Sequence, residues 1–435
     1  MVFQQYNGGV GNYAVLMIFC NSFYQLNLMK IKLLTAVLLL WFVTDCYAQS
    51  NYTFKGTMPR RVLESYLSHA IQMYEYAKSD SFTQFKNAIP YRDDDKRMIL
   101  NTGAKFVGRV IFSFGEDEKY NNPAFLKYAK QRIADLHASD RQIIAQACIF
   151  EIVTTKVNDI AIPEWVFRAF NLPVEKRNFN YNAMLYPNGN RVNQWSDGQS
   201  VPDITQIETR LWFYWLAKQF IDIGIEALHF GQVELMAETD INNDYAGWKD
   251  ILGKVRTYAK THARRNMVIC DGHVPRRWMK DKSGHLLFDF HSFPLRPKEL
   301  GPEAEHNTVL ETGYSDAFYG CSPGGITPSG WKCESLPYLV ELDSYGNTSH
   351  IGQAGPEQYD VWGYDEVNWF ASQPETYRNQ WLKYAYNRVH ELDKAGFMIM
   401  PGAAPAGVYR ANTNSAACPV GSNGEATIKA LFNKK

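Results

Sequence analysis

At 435 residues the chain could hold two domains, yet it also falls near the range of a single barrel of eight strand-helix units, about 250 to 400 residues. Lysine plus arginine and aspartate plus glutamate number 45 each, so no net field would hold a polyanion, which argues against nucleic acid as a partner. Hydrophobic residues at 46% and aromatic residues at 14% fill a large core and leave rings over for other work.

The first stretch reads as an export signal. Met29 to Lys32 supply a short basic start, Leu33 to Val43 an apolar run too short to span a bilayer comfortably, and Cys46-Tyr47-Ala48 a small-residue exit. Cleavage is expected after Ala48, with residues 1 to 28 as a leader upstream of the signal and 49 to 435 as one domain. No later segment is apolar enough for stable membrane insertion, so a secreted or periplasmic protein is expected.

Beyond it, short β-rich runs alternate with longer stretches of helical period, the pattern of a parallel sheet wrapped by helices. The predicted strands are Asn51 to Gly56, Lys105 to Phe114, Gln142 to Val153, Ile225 to Leu235, Asn266 to His273, Leu286 to His291, Tyr338 to Asp343 and Phe397 to Pro401. Apolar stripes predict helices between them: Leu63, Tyr66, Leu67, Ala70, Ile71 and Tyr74 in one, and Trp248, Ile251, Leu252, Val255 and Ala259 in another. Asn122-Pro123 reads as a helix start, and Gly224 and Gly396 as helix stops before strands. The expected fold class is α/β, a (β/α)8 TIM barrel with long loops at the C-terminal face of its strands. Those loops are Thr154 to Asp203, Pro294 to Pro337, Gly346 to Gly363 and Gly402 to Gly424. Asp365 to Ser372 is an alternative strand that would renumber the rest. No Gly-x-Gly-x-x-Gly turn supports a dinucleotide site.

Five cysteines follow the signal. Cys321 and Cys333 are spaced for a short disulfide-closed loop, while Cys148 and Cys270 fall in apolar strands and read as buried thiols. No cysteine spacing indicates a structural metal, and no motif indicates a cofactor.

Polar residues recur where strands end, and side chains at i and i+2 share a face, which in a barrel points toward the mouth. The pairs are Gln232 with Glu234, Asp271 with His273, Asp289 with His291, and Glu341 with Asp343; Glu151 ends a further strand. Converging charges in an apolar barrel are costly, and that cost is tolerated mostly where function needs it. Hydrolysis of a glycosidic bond needs one carboxyl group protonated and one ionised. Glu234 and Glu341 are the candidate pair, with Glu366 in place of Glu341 if Asp365 to Ser372 is a strand.

On these residues the chain resembles the TIM-barrel glycoside hydrolases of the retaining type, whose carboxylates end strands four and seven. The resemblance lies in architecture, and it departs from the group in carrying Gln232-Val233-Glu234 where asparagine usually precedes the glutamate. It implies a glycosidase with Glu234 and Glu341 as catalytic residues and a carbohydrate substrate, and it leaves open which is acid and which nucleophile. Glu151, Gln232, Asp271, His273, Asp289, His291, Asp343, Trp331 and Trp362 are the candidate substrate contacts, the tryptophans through stacking on sugar faces. Trp165, Trp195 and Trp278 also lie outside the helical stripes, whereas Trp212, Trp215, Trp248 and Trp381 fit core-facing helix positions. Each strand-end glutamate serves equally well as a salt-bridge partner or loop cap, and Arg60 and Arg61 as a solvated helix start. Two other readings remain open: a metal-assisted hydrolase built on Asp271, His273, Asp289 and His291, and a glycan-binding barrel without chemistry. The oligomeric state stays open.

Overall fold

The computed structural model describes residues 51–82, 91–274, 279–300, 308–314, 317–343 and 366–434. The expected leader and signal peptide, Trp278 and Trp362 lie outside these residues. The compact unit that carries the site runs from Phe54 to Lys435.

Its centre is a nearly closed barrel of parallel strands in strict chain order. The strands are β1 (Ala70–Met73), β2 (Phe106–Ile111), β3 (Ile144–Cys148), β4 (Ala227–Gln232), β5 (Ile269–His273), β6 (His291–Pro294) and β7 (Tyr338–Glu341). The eighth, β8, comes in two segments, Gly396–Met398 and Met400–Ala403. The first pairs with β7 and the second with β1, so one passage of chain joins both edges of the sheet. At Ile399, between them, the backbone N–H donates to Val340 O.

Helices cover the outside: α1 (Arg60–Leu67), α2 (Arg92–Thr102), α3 (Pro123–Ser139), α4 (Glu164–Ala169), α5 (Ile207–Asp222), α6 (Ala246–His262), α7 (Glu366–Ser372), α8 (Glu375–Leu392) and α9 (Glu425–Phe432). Local chemistry sets several boundaries. The Asn122 side chain accepts from Ala124 N at 2.9 Å with Pro123 in the first turn of α3, and α5 ends before Gly224, whose φ is +100°. In α6 the Asp240 carboxylate accepts from Gly247 N and Trp248 N, and Trp248, Ile251, Leu252, Val255 and Ala259 are all buried, as the periodicity predicts. Trp212, Trp215 and Trp381 are buried on helices as expected. No helix among the described residues is long and apolar enough to cross a membrane.

The structure corrects several expectations. Asn51 to Gly56 contributes no barrel strand and holds only an isolated bridge between Lys55 and Thr57. The first strand is instead Ala70–Met73, so the helix expected from Leu63 to Tyr74 stops at Leu67. The alternative strand at Asp365 to Ser372 is helical over Glu366–Ser372, which leaves Glu341 at the end of the seventh strand. β6 begins at His291 rather than ending there. Cys148 and Cys270 are buried thiols, and Cys321 and Cys333 are free, the former exposed.

Candidate active site

The barrel interior is polar toward the C-terminal ends of its strands, and each polar group there has an identifiable cause. Gly108 allows the tight approach of its neighbours: a Cβ would stand 2.9 Å from Ile399 Cδ1 and 3.2 Å from Gln146 Oε1. The pairing of β2 with β3 shifts register between Val107 and Ile111, and inside that bulge Arg109 has φ +63°. A non-glycine residue in that region costs about 1–3 kcal/mol, and such strain gathers at functional sites. The side chain of Gln146 on β3 supports the bulge by accepting from Arg109 N at 3.3 Å.

The bulge turns the Arg109 guanidinium inward to Glu341, the last residue of β7. Arg109 Nη2 donates to Glu341 Oε1 and Nη1 donates to Cys148 Sγ at 3.6 Å. Glu341 Oε1 also meets His273 Nε2 at 3.0 Å, and its Oε2 accepts from the side-chain amide of Gln72 on β1. Burial alone would raise this carboxyl, but Arg109, and then His273, outweigh it and hold the group at about 2. Glu341 is therefore an ionised carboxylate at neutral pH.

Behind it lies a second cluster. Asp271 on β5 accepts from Gln146 Nε2 at 2.8 Å and from Ser292 Oγ at 2.5 Å, and its Oδ2 lies 2.8 Å from His229 Nδ1. Burial pushes Asp271 up to about 7 against the pull of Ser292 and Arg109. Burial likewise pushes His229 well below its ordinary value, so its ring is neutral, and His229 Nε2 has no hydrogen-bond partner among the described residues. The His229 and His273 rings meet edge to face, centroids 5.0 Å apart.

Glu151, just past β3, is buried, and its carboxylate accepts from Gln232 N at 2.8 Å and Gln232 Nε2 at 3.1 Å. Gly231 makes that approach possible: its φ is +63°, and a Cβ there would stand 1.8 Å from Glu151 Oε2. Burial raises the Glu151 carboxyl above the usual range. Glu234 lies in the turn that follows β4 and is half-buried, at the same end of the barrel as Glu341.

Aromatic rings border this end over β1 to β3. Tyr74 packs on Phe112 (4.7 Å between centroids), Phe112 on Phe150 (4.9 Å), Phe150 on Phe114 (5.7 Å) and Phe114 on Trp195 (5.3 Å). All five are half-buried, and the Trp195 indole donates to Glu151 O at 3.0 Å. Each ring thus keeps part of its surface open.

The remaining expected residues lie elsewhere. Asp289 is turned outward toward helix α6, where its Oδ2 accepts from Cys270 N at 2.9 Å and from Arg256 at 3.1 Å. His291 also faces away, because Ser292 next to it points inward and strand side chains alternate. Its ring lies between Phe288 and Phe293 with neither nitrogen hydrogen-bonded among the described residues, and burial pushes it down to about 3. Asp271, His273, Asp289 and His291 therefore do not converge on one point, and the described residues contain no cluster of three or more His, Cys, Asp or Glu suited to a metal ion. Asp343 stands beyond β7 with Arg296, at 3.5 Å. Glu366 serves as a staple there, accepting from Arg296 N at 3.0 Å and Asp343 N at 3.1 Å, and burial pushes it up to about 8. Trp331 packs at the opposite end of the barrel: its indole donates to Met58 O, in a segment whose Gly56 N reaches Arg265 O just before β5. Trp165 lies on helix α4.

Sequence reasoning missed Gln72, Arg109, Gln146, His229 and Ser292. The available signal was a polar residue inside an apolar run, as in Phe106-Val107-Gly108-Arg109-Val110-Ile111 or Ile144-Ala145-Gln146-Ala147-Cys148.

No protein-family model matches the chain, and no curated protein does. Among solved structures it is similar to a cyclic alpha-maltosyl-(1→6)-maltose hydrolase from Arthrobacter globiformis in complex with maltose, with 11% identity and a TM-score of 0.40, covering 85% of this chain and 83% of that one. It is also similar to a Nostoc punctiforme debranching enzyme, with 12% identity, a TM-score of 0.31 and coverage of 52% of each chain, so it spans about half the length of that protein. Likenesses at this level speak to neither activity nor substrate, and the barrel stands on the chain's own strand order.

Proposed function

We propose that the protein is a secreted glycoside hydrolase that cleaves O-glycosidic bonds of an extracellular glycan, with Glu341 as the ionised carboxylate and Glu234 as the proton donor. The observation that carries this reading is Glu341 itself, a buried carboxylate kept charged by Arg109 at the end of β7. Such a group either attacks an anomeric carbon or drives the activation of water, while a second carboxyl group protonates the leaving oxygen. Glu234 follows β4 at the same end, and the half-buried rings from Tyr74 to Trp195 offer flat apolar faces of the kind that stack on pyranose rings. Gln232 and His273, both half-buried, supply hydrogen-bonding groups beside them.

The test is a panel of polysaccharides and oligosaccharides scored for released sugars. Wild type is expected to cleave at least one, and Glu234→Gln and Glu341→Gln each to abolish that turnover while retaining the wild-type circular dichroism spectrum. Tight binding of a glycan with no product under any condition would overturn the hydrolase reading in favour of a binding barrel.

A further inference from the structure

Glu341 has little room left to meet a substrate. A carboxylate offers about four lone-pair positions. Three are filled here, two on Oε1 by Arg109 and His273 and one on Oε2 by Gln72. The Glu341 side chain is 7% exposed, against 18% for His273, so the imidazole is the more open member of the pair.

The imidazole is also oriented. With Glu341 ionised, Nε2 carries the proton it donates to Oε1, which leaves Nδ1 as a bare acceptor. Nδ1 has no partner among the described residues. The His229 ring packs edge to face against it, and His229 is in turn fixed by Asp271, itself held by Ser292 and Gln146. A histidine held by a carboxylate on one nitrogen and open on the other is the arrangement of an oriented general base.

We infer that His273 is the base of this site and that Glu341 is a positioning residue acting through it, so that hydrolysis proceeds by a single displacement with inversion at the anomeric carbon. This rests on the glycosidase reading. Water gives a proton to His273 Nδ1 as its oxygen bonds to the anomeric carbon. The glycosidic C–O bond breaks with its electron pair on the leaving oxygen, which takes the proton of Glu234. The imidazolium, stabilised by Glu341, returns its proton to solvent, and Glu234 is reprotonated from solvent. The charged and titratable groups facing His273 are Glu341 from β7, His229 from β4, Glu151 after β3 and Asp271 from its own strand, with Arg109 behind Glu341.

The experiment uses a glycan that the wild type cleaves. His273→Asn is expected to lower kcat by about 10²- to 10⁴-fold with KM within a few-fold. Proton NMR of the fresh digest is expected to show the inverted anomer first. Nitrogen NMR of the histidines is expected to show His273 protonated on Nε2 and bare on Nδ1. Retention of configuration, a His273→Asn rate within tenfold of wild type, or the Nδ1–H tautomer would each overturn this inference and leave the glycosidase reading intact. A wild type that cleaves no glycan would remove both.

Discussion

Arg109→Met isolates the charge that keeps Glu341 ionised. Methionine is similar in reach and bears the same positive φ, so the backbone strain at the bulge is common to both proteins. In the wild type the Glu341 carboxyl falls from an ordinary 4.5 to about 2 on folding. That difference corresponds to about 3 kcal/mol at neutral pH. Because the folded-state value is the lower one, this stability is present above about 4.5 and drains away as pH falls through about 2; by pH 3 roughly half or more of it is gone. Removing Arg109 leaves a buried carboxylate without its cation, a change that typically costs 3–5 kcal/mol. Urea unfolding followed by tryptophan fluorescence is therefore expected to show Arg109→Met destabilised by about 3 kcal/mol or more at pH 7, with the gap to wild type at least halved at pH 3. An equal gap at both pH values would refute the claim that Arg109 holds Glu341 in its charged form.

Gly231→Ala places a methyl group where the Glu151 carboxylate sits and forces alanine into the left-handed region. A loss of about 2–4 kcal/mol is expected, from about 1–2 for the backbone and the remainder from the displaced carboxylate, and a melting temperature equal to wild type would contradict it. For Glu366 the folded-state value, about 8, lies above the ordinary 4.5, so its contribution is fully present below 4.5 and is lost as pH rises through 8. Glu366→Gln is expected to flatten that decline, measured by denaturant unfolding at pH 5 and pH 8.5, and parallel profiles for the two proteins would argue against a raised carboxyl. Trp195→Ala removes one ring of the aromatic border while leaving the Glu341 cluster untouched; a KM or Kd for an active oligosaccharide raised by about 2- to 13-fold, from about 0.5–1.5 kcal/mol of ring contact, is the expected result. Unchanged glycan affinity would remove Trp195 from the binding surface.

Much of the barrel was legible because the alternation of strand and helix survives in apolar spacing, and because Asn122-Pro123 and Gly224 mark helix boundaries chemically. β1 was not legible. Ala70–Met73 is four residues long and buried on both faces, so it lacks alternation, and Tyr66, Leu67, Ala70, Ile71 and Tyr74 happen to continue a helical period across the true end of α1. The site was legible in part. Glu341 and His273 stand at strand ends, where i and i+2 parity points inward. The same rule misplaces His291, because its strand starts at that residue instead of ending there. Arg109 lies mid-strand, and its inward turn depends on a bulge that only the pairing with β3 defines. Trp331 went to the opposite end of the barrel because a Gly/Pro/Ser-rich loop carries no signal of which end it packs against.

Whether the ionised Glu341 at the end of β7 drives the cleavage of a glycosidic bond is decided by the rate of Glu341→Gln on a glycan that wild type hydrolyses. Glutamine keeps an oxygen that can accept from Arg109 and His273 but removes the charge. A kcat lower by about 10²-fold or more in a folded protein is expected. Wild-type turnover by that variant would contradict it.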